Sequence, residues 1–242
     1  MSVFIIAVMA LFAFDCFSQA QRPKLVITKL TDHHFVYTTY KRLGSSMFPS
    51  NSMYLVTQQG VVLIDTPWDS TQFQPLLDSI YTRHQQKVVL CIATHFHDDR
   101  TAGLEFLKQK GIKTYTSEMT YELCTAKNNP QAAAYFINDT TFTVGTKKFE
   151  TYYPGEGHSQ DNIVIWFADE RILFGGCLVK STENNGLGNI ADANLSTWGT
   201  TIENVMRKYP NPSVIIPGHF GWSSKHELQH TLRLLDEDKK KK

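Results

Sequence analysis

Six apolar residues, Val88-Val89-Leu90-Cys91-Ile92-Ala93, run directly into Thr94-His95-Phe96-His97-Asp98-Asp99-Arg100 and then into Thr101-Ala102-Gly103-Leu104-Glu105-Phe106-Leu107. The first run reads as a buried strand and the last as the start of a helix. The turn between them therefore hangs two imidazoles and a carboxylate on a rigid strand end. His95, His97 and Asp99 are spaced two apart, so all three can point at one small volume. Zinc accepts that mixture of nitrogen and oxygen ligands. Taken alone the cluster is equally compatible with coincidence, because the chain has 9 His.

At 242 residues the chain is long enough to bury a large core. Lys+Arg 24 against Asp+Glu 23 leaves a formal net charge of +1. Such balance provides no field to draw in nucleic acid or an anionic membrane, and neither is expected as a partner.

Val3 to Phe14 are uninterruptedly apolar, and Ser18-Gln19-Ala20 offers small residues where a signal peptidase reads. The run falls short of the ~20 residues needed to span a bilayer. It predicts a secretory signal over residues 1–20, cleaved after Ala20, and a mature single domain over 21–242 in the periplasm. Asp15 before Cys16 is a poor fit to a lipid-attachment site. The remaining Cys91, Cys124 and Cys177 are odd in number and widely spaced, which is no disulfide framework. Cys91 and Cys124 fall in apolar patterns and read as small core residues, whereas Cys177 follows a strand.

The chain begins as a meander. Strands are expected over Lys24–Leu30, His33–Tyr40, Ser52–Thr57 and Gly60–Thr66, with a mobile flap over Lys41–Ser52. Met47 and Phe48 on that flap are candidates to cover an apolar part of a substrate. Trp68 is a further candidate contact, although a core role suits it equally. Asp65, closing a strand, suits either the orientation of a ligand or a turn.

Helices are expected over Ser70–His84, Arg100–Lys110, Glu118–Lys127, Leu195–Lys208 and Ser223–Leu235, with a frayed basic tail after the last. Further strands are expected over Ile112–Thr116, Thr140–Val144, Lys147–Tyr153, Asn162–Ala168, Arg171–Gly175 and Ser213–Ile216. No repeat or long linker divides them. The rhythm predicts an α/β fold of two sheets face to face with helices outside, a four-layer αββα sandwich.

Three more strand junctions carry ligand-type residues: His158 in Pro154-Gly155-Glu156-Gly157-His158, Cys177 in Gly175-Gly176-Cys177, and His219 in Pro217-Gly218-His219. Each sits beside glycine. Six such residues at four strand ends form a pattern that one of them alone does not.

This pattern resembles the metallo-beta-lactamase fold, and more closely the class B enzymes that hold two zinc ions. The resemblance spans nearly the whole mature chain, from Gly60–Asp65 to His219. It implies that His95, His97 and His158 bind one zinc and Asp99, Cys177 and His219 the other. Thioester hydrolases and many lactonases and nucleases of this fold carry His after the motif Asp and a bridging Asp later, where this chain has Arg100 and Cys177. Lys180, three residues after Cys177, matches the Lys that pairs with the antibiotic's carboxylate, and Asn189 matches the Asn near the lactam carbonyl.

The resemblance thus implies hydrolysis of penicillins, cephalosporins and carbapenems by a zinc-bound hydroxide, and hence antibiotic resistance. Zinc brings the pKa of bound water to about 7 and so makes a nucleophile available at neutral pH. Asp99 would serve as a ligand and orienting group, with Lys180 and Asn189 acting on the substrate. The partner is a small-molecule beta-lactam and the expected state is a monomer. The rival readings are a thioester, lactone or phosphodiester hydrolase, and a structural zinc protein. Structural zinc is normally closed by four protein ligands, which these two sets of three would leave open.

Overall fold

A computed structural model describes residues 25–241; the expected signal sequence and its cleavage point lie outside the described residues. The first sheet contains β1 (Val26–Lys29), β2 (His34–Leu43), β3 (Ser46–Thr57), β4 (Gly60–Ile64), β5 (Val88–Ile92), β6 (Lys113–Ser117) and β7 (Ala134–Phe136), in that spatial order. β1 to β4 form an antiparallel meander, and β4 to β7 run parallel. The second contains β8 (Thr141–Val144), β9 (Lys147–Tyr152), β10 (Val164–Phe167), β11 (Ile172–Gly176) and β12 (Val214–Pro217), ordered β12-β11-β10-β9-β8.

Alternation along the strands assigns the layers, because successive side chains point to opposite faces. Val62, Ile64 and Ile92 of the first sheet meet Ile165, Phe174 and Ile216 of the second in the central core. Val61, Leu63 and Cys91 face outward to Leu76, Ile80 and Leu104 on the helices α1 (Phe73–His84) and α3 (Leu104–Gln109). On the far side Val164, Leu173 and Ile215 pack against α5 (Trp198–Lys208) and α6 (Glu227–Lys240). Three apolar seams between four layers give the expected sandwich. Each fully buried aliphatic or Phe contributes about 1.5–3 kcal/mol.

Three local expectations need correction. The flap expected over Lys41–Ser52 is strand: β2 and β3 continue through it as a ten-pair ladder that turns at Gly44-Ser45. Pro49 is accommodated because β4 pairs only with Met53–Thr57, leaving Pro49 on an unpaired edge. The helix expected over Arg100–Lys110 is two pieces, α2 (Asp98–Thr101) and α3. The Thr66 hydroxyl accepts the Gly103 N–H at 2.9 Å and breaks the ladder there.

The final helix starts at Glu227 and continues to Lys240, so the basic stretch expected as frayed tail is helical through that residue. β7 has no counterpart among the expected elements. By contrast α4 (Glu118–Lys127) has the expected bounds, because the Ser117 side chain caps it by accepting the Thr120 N–H at 3.1 Å.

Candidate metal centre

β5 delivers the His-x-His-x-Asp turn to the carboxyl edge of the parallel strands. His97 takes extended backbone angles as the cap of α2, and Asp98 and Asp99 occupy its first turn. Carboxylates are favoured there by the unsatisfied N–H groups of a helix start. His158 precedes β10, Cys177 follows β11, and His219 follows β12. The two sheets are stitched together at this edge: Ile163 donates to the Thr94 carbonyl at 3.0 Å, and Asn51 to the Gly218 carbonyl at 2.8 Å.

His95 Nε2 lies 3.1 Å from His97 Nδ1, which lies 3.1 Å from His158 Nε2. Ligands at the usual Zn–N distance of about 2.0–2.1 Å occupy corners of a tetrahedron with edges of roughly 3.3 Å. Both separations are close to an edge of such a tetrahedron. Burial holds His95 and His158 well below the ordinary imidazole pKa, so both are neutral lone-pair donors at pH 7.

A second group meets beside the first. Asp99 Oδ2, Cys177 Sγ and His219 Nε2 are mutually 3.2–3.3 Å apart. His95 Nε2 lies 4.0 Å from Asp99 Oδ1, and His95, His158 and Cys177 also offer ligand atoms within 4.8 Å of one another. The two groups therefore form one chamber with room for two adjacent cations. All six ligand candidates from the sequence are brought together.

Behind the second group sits Arg100, fully buried. Its Nη2 reaches Asp99 Oδ2 at 3.0 Å, Cys177 Sγ at 3.0 Å and the Gly218 carbonyl at 2.9 Å. Its Nη1 reaches the Asn51 carbonyl at 2.6 Å and Asp65 Oδ2 at 3.3 Å. A Cβ at position 218 would stand 2.8 Å from both Arg100 Nη2 and Cys177 Sγ, which is why glycine precedes His219.

Burial alone would raise the Asp99 pKa; Arg100 and His219 instead hold it well below the carboxylate range. Asp65 is pushed up to about 7 by burial, against the pull of Arg100 and Thr94. Burial likewise pushes the Cys177 thiol up, with Arg100 opposing. Its proton would leave when a divalent cation binds.

Ligand imidazoles are oriented by what their other nitrogen meets. His97 Nε2 lies 3.0 Å from Asp192 Oδ2, and His219 Nδ1 lies 2.8 Å from the Pro49 carbonyl. Asp192 carries no sequence signal, since it lies in a polar stretch far from any strand. Asp65 does not touch a ligand imidazole; it accepts the Thr94 N–H at 2.7 Å and faces Arg100.

The chamber opens into a cavity of about 370 Å³ lined by Phe48, Trp68, Lys180 and Asn189 among others. Lys180 is buried, with Nζ 5.2 Å from the Trp198 ring centroid, and burial lowers its pKa. Asn189 is exposed and its Oδ1 accepts the Ala191 N–H at 3.2 Å. Phe48 packs on Trp68, His219 and Phe220. Met47, one residue away on the hairpin, faces the other side and lines a separate depression with Tyr40 and Arg42.

The sequence profile of the metallo-beta-lactamase superfamily matches residues 46–219, a span that contains every residue of the chamber. The chain belongs to that superfamily. It is 40% identical over 237 residues to the metallo-beta-lactamase type 2 of Elizabethkingia meningoseptica, covering 98% of this chain and 95% of that protein. It is 40% identical over 221 residues to metallo-beta-lactamase IND-1 of Chryseobacterium indologenes, covering 91% and 92%. The solved metallo-beta-lactamase from Pontibacter korlensis superposes with a TM-score of 0.85 at 38% identity, over 88% of this chain and 99% of that one. The IND-7 metallo-beta-lactamase gives 0.85 at 40% identity, over 88% and 98%. The metallo-beta-lactamase assignment fits the chamber's donor set: three nitrogens linked at 3.1 Å for one zinc, and a carboxylate, a thiol and an imidazole for a second.

Proposed function

We propose that this protein is an exported zinc-dependent beta-lactamase that opens the lactam amide of penicillins, cephalosporins and carbapenems and so confers resistance to them. The observation that supports it most is the pair of adjoining three-donor groups beneath a cavity that holds a buried lysine. Among the described residues neither group gathers a fourth donor of its own, as expected of a catalytic rather than a structural zinc site.

His95, His97 and His158 would hold one zinc, and Asp99, Cys177 and His219 the other. Zinc bound there supplies Lewis acidity, polarising a carbonyl and bringing water within reach of deprotonation at neutral pH. Asp99 acts as a ligand held anionic by Arg100, so it is a weak base and its carboxylate orients rather than abstracts. Lys180, projecting a cation into a partly apolar cavity, binds the substrate's carboxylate. Asn189 keeps its amide NH₂ as a donor for the lactam carbonyl, since its Oδ1 is already occupied by Ala191. Phe48 and Trp68 provide the apolar wall; Met47 is left out of this assignment because it faces elsewhere.

Export rests on the apolar run Val3–Phe14 and cleavage after Ala20, which would leave a single periplasmic domain over 21–242 acting as a monomer. Among the described residues no helix is long and apolar enough to cross a membrane. The test is carbapenem and nitrocefin hydrolysis with and without a chelator, beside a thioester substrate. Chelator-sensitive opening of the lactams supports the proposal. Activity confined to the thioester, or lactam hydrolysis untouched by chelation, would overturn it.

A further inference from the structure

Residues 177–197 connect β11 to α5 without regular secondary structure, yet they form one wall of the cavity through Lys180, Asn184, Leu187, Asn189 and Asp192. The two ends of this stretch are fixed near the metal centre. Trp198 Nε1 donates to the Leu178 carbonyl at 3.0 Å, Asn194 N donates to the Gly157 carbonyl at 2.8 Å, and Asp192 meets His97. The middle is held less directly. Gly186 and Gly188 have nothing within 4 Å of where a Cβ would stand, and Asn185 to Asn189 are exposed except for Leu187.

From outside, Gly221 anchors the segment at Ser181, whose hydroxyl donates to its carbonyl at 2.6 Å, and at Glu183, whose Oε2 accepts its N–H at 2.9 Å. Lys180 and Asn184 are held by one turn of α6, a helix that contributes none of the described residues lining the cavity. The Thr231 hydroxyl accepts the Lys180 N–H at 2.8 Å while donating to the Glu227 carbonyl at 2.8 Å. Next to it, His230 Nε2 lies 2.9 Å from the Asn184 carbonyl, and its Nδ1 lies 2.9 Å from Arg233 Nη2. A guanidinium only donates. Nδ1 must therefore accept, which leaves the ring proton on Nε2, aimed at Asn184. Arg233 thus sets the tautomer in which His230 can hold the loop.

We propose that His230 is a positioning residue, a latch that fixes Asn184 and with it the cavity wall carrying Lys180 to Asn189, so that α6 tunes substrate binding from outside the site. The kinetic part rests on the beta-lactamase reading above; the structural part does not. A wall displaced by a fraction of an ångström weakens contacts to substrate while leaving the metal ligands in place, so the effect falls on KM.

The test uses the full-length, zinc-loaded protein and compares parent, His230→Leu, His230→Gln and Arg233→Ala. Gln presents an amide N–H close to the Nε2 position and an oxygen that can still accept from Arg233. Amide hydrogen exchange over 184–190 should accelerate in His230→Leu, with α6 protected as in the parent and two zinc ions retained. In that variant KM for benzylpenicillin should rise about three- to tenfold, the range of one lost hydrogen bond, with kcat within about twofold. His230→Gln should restore both, and Arg233→Ala should fall between parent and Leu.

Unchanged exchange over 184–190 in His230→Leu would overturn the latch, as would failure of Gln to rescue, since the imidazole would then be mere packing. If His230→Leu does not fold, Arg233→Ala decides: parent-like exchange refutes the latch and faster exchange supports it. A parent that hydrolyses no beta-lactam would sink the functional reading, and the exchange comparison would still decide the latch.

Discussion

Replacing Arg100 with Met exposes how the second metal group is held. The guanidinium is fully buried and is the cation facing both Asp65 Oδ2, at 3.3 Å, and Asp99 Oδ2, at 3.0 Å. It also satisfies the carbonyls of Asn51 and Gly218. Met fills much of the same volume but leaves two buried carboxylates without it. Breaking a buried ion pair by removing one partner costs about 3–5 kcal/mol. For a domain of this size 1 kcal/mol moves Tm by ~2–4 °C, so a fall of about 6–20 °C is expected.

The assay is thermal unfolding in the presence of chelator, which isolates the chain's own contribution. The loss should also depend on pH. Asp65 already has a pKa raised to about 7, so its folded form prefers the proton and stability falls as pH rises from the unfolded carboxylate value through 7. Without Arg100 that penalty deepens, and the gap between variant and parent should narrow as pH drops below 7. Adding Asp65→Asn to the variant should recover part of the loss. A fall smaller than ~3 °C, or one with no dependence on Asp65, would refute the argument.

Cys177→Ser should lower the zinc content from two ions to about one and cut turnover strongly, because a hydroxyl is a far poorer ligand than a thiolate; elemental analysis beside nitrocefin kinetics checks both. Lys180→Ala should raise KM for a carboxylate-bearing penicillin by roughly tenfold or more while kcat changes less, as loss of a charge-assisted contact does; steady-state kinetics decides. His34 is buried, and burial, opposed by Glu170, lowers its pKa to about 4. Below pH 6.5 the unfolded chain takes up a proton that the folded chain refuses. Stability should fall by up to ~1.4 kcal/mol per pH unit until about pH 4, and urea titrations of His34→Gln should show a shallower slope.

The metal centre was legible in the sequence because each ligand stands at a strand end beside a recognisable punctuation of Gly, Pro or a helix start. Periodicity assigned the layers for the same reason, with Val62 and Ile64 facing one way and Val61 and Leu63 the other. What escaped depends on contacts between segments distant in the chain. The 41–52 stretch looks like loop because Gly44, Pro49 and serines interrupt it; the tertiary edge position tolerates Pro49, and the Gln72 side chain bonds both backbone groups of Tyr40, at 3.2 and 2.7 Å. Asp192 and His230 act through partners 95 and 46 residues away, respectively, and no local pattern announces them. Phe48 and Met47 are adjacent in sequence, so only the register of β2 on β3 decides which one faces the cavity.

The central claim is tested most directly by locating zinc in a crystal of the purified protein by anomalous scattering at the zinc edge. Two peaks per chain are predicted, one bonded to His95, His97 and His158 and the other to Asp99, Cys177 and His219, at about 2.0–2.3 Å from the ligand atoms. A single peak, with the Cys177 sulfur and the His219 ring turned away from any metal under zinc-saturating conditions, would contradict it.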